Sequence, residues 1–320
     1  MRITRSPASP VYVSFENTSG GNQDISLLAL ADLGHLSVEV YDLFGIRHNA
    51  MELKSVSAGT QYGIAADETN SNHTMVRASV DRGEQRFARR VIQLEGANNF
   101  RDFGGYQSSD SAQMPWRRFF RSENLAKLTA EDFKEMERLG IKRIFDLRRP
   151  DEIAISPTSL PTQSQFELIN IAVSGQISGF DDAVIGAFKG HIAEITIADM
   201  VAMYNYIIDK YSDTLLFVAQ QILDGAAGAS LVHCTAGKDR TGMVVALIQL
   251  AYGVSRQDVF YDYLLSNRLR TPWRIATLAP EFRRRDLDIS KFKSYFSAPF
   301  QALDESFDRL SVLAEQLSVE

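Results

Sequence analysis

Cys234 is the only cysteine in 320 residues, and it lies in the run Leu231-Val232-His233-Cys234-Thr235-Ala236-Gly237-Lys238-Asp239-Arg240-Thr241-Gly242. A lone cysteine after an apolar strand is ordinarily a small buried hydrophobe. Here its neighbours suggest more. Leu231 to His233 reads as a short strand, and Arg240 to Tyr252 as a strongly apolar helix closed by Gly253. A loop passing from the carboxyl end of a strand into a helix can turn successive N–H groups inward, and the helix adds its own unpaired N–H groups and positive dipole end. Thr235, Ala236, Gly237, Lys238, Asp239 and Arg240 are therefore candidate substrate-binding residues, forming a cradle for an anion. Arg240 supplies a planar fork matched to two phosphate oxygens, and Lys238 is expected as a second cation at the rim. The same field lowers the pKa of the Cys234 thiol. Thiolate and anion cradle together point to nucleophilic attack on phosphorus through a cysteinyl-phosphate, with Arg240 and the amides stabilising the equatorial oxygens. Thr241 is placed to hydrogen-bond the departing thiolate, and His233 to hold the loop.

The elements that must position this loop follow from periodicity. From about residue 90, helices alternate with short apolar strands. Thr129 and Asp132 predict an N-cap and acidic N3, with Leu128 and Phe133 as a staple; the helix runs to Leu139, and Gly140 ends it. Strands are expected at 141–147, 166–173 and 231–233, and helices at 199–211, 213–223 and after the Ser255 cap. This alternation predicts an α/β fold with a mainly parallel central sheet flanked by helices. Earlier, Val11, Val13 and Phe15, then Leu36, Val38 and Val40, then Val76, Ala78 and Val80 alternate with polar residues, between turn-rich stretches at 17–22 and 67–72. That texture predicts a small β-rich, sandwich-like accessory domain over 1–88, preceding a catalytic domain over 89–320.

His233-Cys234 followed by Arg240-Thr241 matches the H-C-x5-R-[ST] signature, so the chain resembles the protein tyrosine phosphatase superfamily. Its GKDRTG form is similar to the bacterial branch whose members also act on phosphoserine, phosphothreonine or phosphoinositides. Asn99-Phe100-Arg101-Asp102-Phe103-Gly104-Gly105-Tyr106, Arg121-Ser122-Glu123-Asn124-Leu125, Phe145-Asp146-Leu147-Arg148 and Asp262-Tyr263-Leu264-Leu265-Ser266-Asn267 extend the likeness over about 90 to 270. The resemblance implies a cysteine-dependent phosphatase fold. It also implies Cys234 as nucleophile, Arg240 as phosphate ligand, and a general acid at either Asp239 or Asp146. Asp239 is preferred, since the loop guarantees its proximity to the scissile oxygen. Asp181 and Asp182, on a lid spanning the glycine-containing stretch 178–190, are a third option. No Trp-Pro-Asp occurs. Asn99, Arg101, Asp102 and Arg148 are expected to support the loop, with Arg101 or Asp102 as its buttress.

Composition narrows the function classes. Hydrophobic residues at 45%, charged residues at 23%, a formal charge of −6 and a pI near 5.5 fit a globular protein and argue against nucleic-acid wrapping. No apolar run approaches the roughly 20 residues of a membrane span, and Met1 to Val13 lacks the apolar stretch of a secretory signal. The default location is thus cytoplasmic, with signal-independent export left open. His35, His48, His73 and His191 lack metal-ligand spacing, and no metal or cofactor is expected. A nucleotide-binding loop at Gly237-Lys238 fails because Asp239 stands where Ser or Thr is required. Arg283-Arg284-Arg285 reads as a solvated helix face. The substrate reading is a phosphorylated protein, led by phosphotyrosine, with phosphoinositide as the alternative and a non-catalytic phosphate-binding module as the outlier.

Overall fold

A computed structural model describes residues 11–17, 23–66, 72–80, 83–109, 112–174, 183–225 and 228–319. Among the described residues, seven strands come first: β1 (Val11–Asn17), β2 (Gln23–Ala29), β3 (Leu33–Tyr41), β4 (Arg47–Val56), β5 (Gln61–Ala66), β6 (Met75–Val80) and β7 (Gly83–Ala88). They form two antiparallel sheets, ordered β1-β2-β5 and β4-β3-β6-β7. The alternating apolar residues close a shared core of Val13, Ile25, Leu27, Leu36, Val38, Val40 and Val76, so burial of one face of each sheet fixes the register. Most of the two turn-rich stretches, 18–22 and 67–71, lies outside the described residues.

The rest of the chain runs β8 (Arg101–Asp102), β9 (Phe119–Ser122), α1 (Ala130–Arg138), β10 (Ile141–Asp146), α2 (Pro150–Ile155), β11 (Glu167–Asn170), α3 (Ala183–Phe188), α4 (Ile197–Leu223), β12 (Ala229–His233), α5 (Asp239–Ala251), α6 (Arg256–Leu269), α7 (Thr271–Arg284), α8 (Lys293–Phe296) and α9 (Phe300–Ala314). The sheet is ordered β11-β10-β12-β9-β8. It is mixed: β11, β10, β12 and β9 pair in parallel, and β8 lies antiparallel at the edge. The expectation of a mainly parallel sheet is thus replaced by a mixed one, with β8 pairing antiparallel to β9. Two other expectations shift. The helices at 199–211 and 213–223 are one element, α4, broken only by non-helical φ/ψ at Tyr211, and β11 stops at Asn170. Thr129 caps α1 in a reciprocal capping box with Asp132, as its spacing predicts. Helix α5 is apolar all round because it is wrapped all round: Met243 through Ile248 are buried, and α4, α6 and α9 pack against it. Among the described residues, no helix is long and apolar enough to cross a membrane.

Strand register delivers the chemistry. Asp146 of β10 and Ser122 of β9 both pair with His233 of β12, so three parallel strands end side by side at one edge of the sheet. Loops at the carboxyl ends of such strands are where an α/β sheet puts its ligand sites.

Candidate active site

Cys234 leaves β12 at that edge, and α5 begins five residues later. The intervening loop is pinned by its carbonyls. Asn124 donates its backbone N–H and Nδ2 to Thr235 O at 3.2 and 3.1 Å, Asn99 Nδ2 donates to Ala236 O at 3.0 Å, and Arg121 donates to Gly237 O at 2.7 Å. A trans peptide carries its C=O and the following N–H on opposite sides. Holding these three carbonyls outward therefore turns the next three N–H groups inward. The Gly237 N–H accordingly donates to Cys234 Sγ at 3.3 Å. Gly237 also has a φ of +66°, and a Cβ there would meet Ser122 O at 2.2 Å, so only glycine allows the loop to lie so close to β9.

Beneath the loop is a buried charge cluster with no solvent access. Arg121 reaches Asp262 Oδ2 at 2.6 Å, and Arg101 Nε reaches Oδ1 at 3.3 Å. Arg101 also donates to Asn99 Oδ1 at 2.6 Å and Ser266 Oγ at 3.2 Å, which aims the Asn99 amide at the loop. Burial, then Arg121, lowers the Arg101 pKa to about 10. For Asp262 burial acts upward, but the charges of Arg101 and Arg121 bring it below the usual carboxylate range. Asp102, the other expected buttress, faces away, binding the N–H groups of Gly104 and Arg117 and the Arg117 guanidinium. Of the two, Arg101 is the one under the loop.

Cys234 is 2% exposed. Burial opposes ionisation of its thiol, yet the Arg240 charge and the hydroxyl and N–H of Thr241 outweigh it, and the pKa falls below the ordinary thiol value. Among the described residues the Thr241 hydroxyl has no other hydrogen-bond partner, which leaves it for the sulfur. His233 is fully buried, with Nδ1 3.2 Å from Cys234 O. Burial, then the cations Arg148 and Arg240 against Asp146, lowers its pKa to about 4, so the ring is neutral and structural.

Arg240 is held by a residue that spacing alone did not single out. Its two terminal nitrogens each donate to Glu152 of α2 at 2.7 Å, and Nη1 also donates to Val173 O at 3.0 Å. Glu152 accepts from Thr235 Oγ1 as well and from Arg149 N at 3.0 Å. Burial works to raise the Glu152 pKa, but Arg240 dominates and brings it down to about 2. For Arg240, burial pulls down and Glu152, the thiolate and Asp239 raise it above the ordinary value. The sequence signal was present: Glu152 sits at N3 of a helix opened by Pro150, four residues beyond the Asp146-Leu147-Arg148 strand end.

The acid candidates diverge. Asp146 is 2% exposed, with both oxygens taken by Arg148 at 2.7 to 3.1 Å, the arrangement of a structural ion pair at the strand end. Arg148 in turn fixes Ser156 O and Thr158 Oγ1, bracing the segment after α2. Asp239 lies at the first position of α5, partly open to solvent. Asp181 and Asp182 lie outside the described residues. Lys238 departs from expectation. It is buried, not at the rim, and its ammonium donates to Tyr295 O at 2.7 Å and Ser297 O at 2.9 Å and pairs with Asp239 Oδ2 at 2.9 Å. The loop turns its side chain toward the 295–297 backbone, which the sequence could not foretell.

Outside this site, His35, His48 and His73 each face one carboxylate, Glu52, Asp42 and Glu135. No group of three or more metal-ligating side chains gathers among the described residues. Arg284 and Arg285 both pair with Glu281.

Residues 92–313 match the model of the tyrosine phosphatase family. The triple specificity protein phosphatase PtpB of Mycobacterium tuberculosis is 32% identical over 255 residues, covering 69% of this chain and 91% of that one. A tyrosine-protein phosphatase of Nostoc commune is 30% identical over 153 residues, about half of each chain. The crystal structure of P. aeruginosa TpbA aligns with 62% of this chain and 88% of its own, at 12% identity and a TM-score of 0.32. The chain belongs to the tyrosine phosphatase family and is a phosphatase.

Proposed function

We propose that the protein hydrolyses phosphotyrosine in proteins, with activity extending to phosphoserine and phosphothreonine, by way of a cysteinyl-phosphate on Cys234. The observation carrying this reading is the Cys234 sulfur, buried, activated, and receiving the Gly237 N–H in a loop closed by Arg240. In the first step the thiolate attacks phosphorus, the P–O bond breaks, and the leaving oxygen takes a proton from Asp239. In the second, water attacks the phosphocysteine, its proton passes to Asp239, and the thiolate leaves with a hydrogen bond from Thr241. Arg240, oriented by Glu152, and the inward amides of the loop hold the equatorial oxygens throughout. Asp239 is preferred over Asp146 because its side chain is 16% exposed against 2% and its Oδ1 meets a hydroxyl that can also accept, whereas both oxygens of Asp146 are held by a guanidinium that can only donate.

The commitment of Lys238 bears on substrate class. Its three hydrogens are engaged inside the protein, so it offers nothing to a second phosphate, and phosphoinositides are the weaker reading. The separate core of the first seven strands supports reading 1–88 as an accessory sandwich and 89–320 as the catalytic domain. The deciding experiment is acid quench during turnover of a labelled phosphotyrosine peptide. Label should be trapped on wild-type protein and absent from Cys234→Ser; turnover without a trapped phosphocysteine would exclude the covalent route, and binding without turnover would make the protein a phosphate-binding module.

A further inference from the structure

The two carboxylate oxygens of Asp239 have partners of different kinds. Oδ2 lies 2.9 Å from Lys238 Nζ. An ammonium has three donors and no acceptor, so Oδ2 can only accept. Oδ1 faces the Tyr204 hydroxyl at 3.0 Å, Tyr204 lies 2.6 Å from the Tyr263 hydroxyl, and Tyr263 lies 3.4 Å from Pro299 O. A hydroxyl can donate or accept, so this chain runs in either direction. When Asp239 is ionised, Tyr263 donates to Tyr204 and Tyr204 to Oδ1. When Oδ1 carries a proton, Asp239 donates to Tyr204, Tyr204 to Tyr263, and Tyr263 to Pro299 O. Two O–H bonds rotate, and no proton travels along the chain.

Both tyrosines are buried, at 0% and 2% exposure, on α4 and α6. Packing alone would be served by phenylalanine at either position, and a hydroxyl in a core is costly unless it is paired. We propose that Tyr204 and Tyr263 are positioning residues that let Asp239 Oδ1 hold, release and regain the proton of the phosphatase reaction. This rests on Asp239 being the acid. As the P–O bond breaks, the proton on Oδ1 goes to the leaving oxygen, and Tyr204 turns to donate to the newly ionised Oδ1. As water attacks in the second step, Oδ1 takes a proton back and Tyr204 turns to accept. A charge-assisted hydrogen bond is stronger than a neutral one, so the chain favours release.

Titratable or charged groups acting around Asp239 are Lys238, Tyr204, Tyr263, Cys234 and Arg240. The test compares Tyr204→Phe, Tyr263→Phe, Asp239→Asn and the Tyr204→Phe/Asp239→Asn double variant on two substrates. Phenyl phosphate needs its leaving oxygen protonated, and p-nitrophenyl phosphate needs this far less. Tyr204→Phe should lower kcat on phenyl phosphate about tenfold, a fraction of the effect of a whole general acid, and change p-nitrophenyl phosphate turnover by less than about twofold. The basic limb of its kcat profile should move to higher pH, because the ionised carboxylate has lost a donor. Tyr263→Phe should act in the same direction and less, and the double variant should lose no more than Asp239→Asn alone. Equal losses on both substrates with an unmoved limb would make the tyrosines structural and overturn the proposal. If Asp239→Asn discriminates between the leaving groups and Tyr204→Phe does not, the tyrosine proposal alone fails; if Asp239→Asn does not discriminate, the assignment of the acid fails first. Thermal unfolding of each variant confirms that the comparison is made on folded protein.

Discussion

The two faces of the catalytic loop are built on different physical plans. On the underside, Arg101, Arg121, Asp262, Asn99 and Ser266 are fully buried and hydrogen-bonded to one another and to loop carbonyls. On the upper side, Arg240, Glu152 and Asp239 keep 12 to 16% of their side-chain surface exposed. The underside sets where the amides point, so it must not move. The upper side meets a dianion that arrives, changes charge and leaves, so its contacts must be exchangeable. Two guanidiniums against one carboxylate also leave the underside with net positive charge, which favours both the thiolate and the phosphate above it.

The contrast breaks most visibly if the underside is opened. Asp262→Ala would strand two buried guanidiniums, and removing one partner of a buried ion pair costs about 3 to 5 kcal/mol. Urea unfolding should register that loss, with activity falling alongside it. A variant as stable as wild type but inactive would show that Asp262 acts on chemistry rather than on the scaffold.

A second test uses acid. His233 belongs to the rigid side, and its pKa is lowered from the ordinary 6.5 to about 4 in the folded protein. Between those values the unfolded chain binds a proton that the folded chain refuses, so stability rises with pH across the window and falls as pH drops from about 6.5 to 4. The full span corresponds to about 3 kcal/mol. Of this, about 2 kcal/mol falls between pH 7 and pH 5, where denaturation should show it, and His233→Gln should flatten the slope.

Legibility in the sequence divides along the same line. Cys234, Arg240 and the α5 start were readable because a strand, a loop of fixed length and a helix fix their relation locally. Asn99, Arg101 and Asp262 stood out as motif residues, but their joint role was hidden, since 161 residues separate Arg101 from Asp262 and only the sheet brings them together. Glu152 draws no attention in the sequence, since 88 residues separate it from Arg240, and Lys238 reads there as a cation for substrate. Neither chain direction nor periodicity says which way a side chain leaves a loop. The sequence pattern splits the single kinked α4 into two helices because Tyr211 interrupts it without ending the element.

On the upper side, Glu152→Gln keeps the shape and one acceptor while removing the charge that holds Arg240. Glu152 is paired down to about 2, so it stays ionised throughout the working range and adds no limb to the pH profile. The expected result is a loss of about tenfold in kcat/KM, as for one weakened charge-assisted contact. Stability should fall less than for Asp262→Ala, since this pair keeps some solvent contact where the Asp262 cluster has none. A large stability loss would place Glu152 with the rigid face instead.

Lys238→Met should give the smallest change in selectivity. Its ammonium binds backbone carbonyls, not substrate, so turnover of phosphotyrosine peptide and of phosphoinositide vesicles should fall by the same factor. The common loss would come from weakening the 295–297 segment and from freeing Asp239 Oδ2. Selective loss on phosphoinositide would mean that the side chain swings out when a second phosphate arrives, and Lys238 would then belong to the exchangeable face.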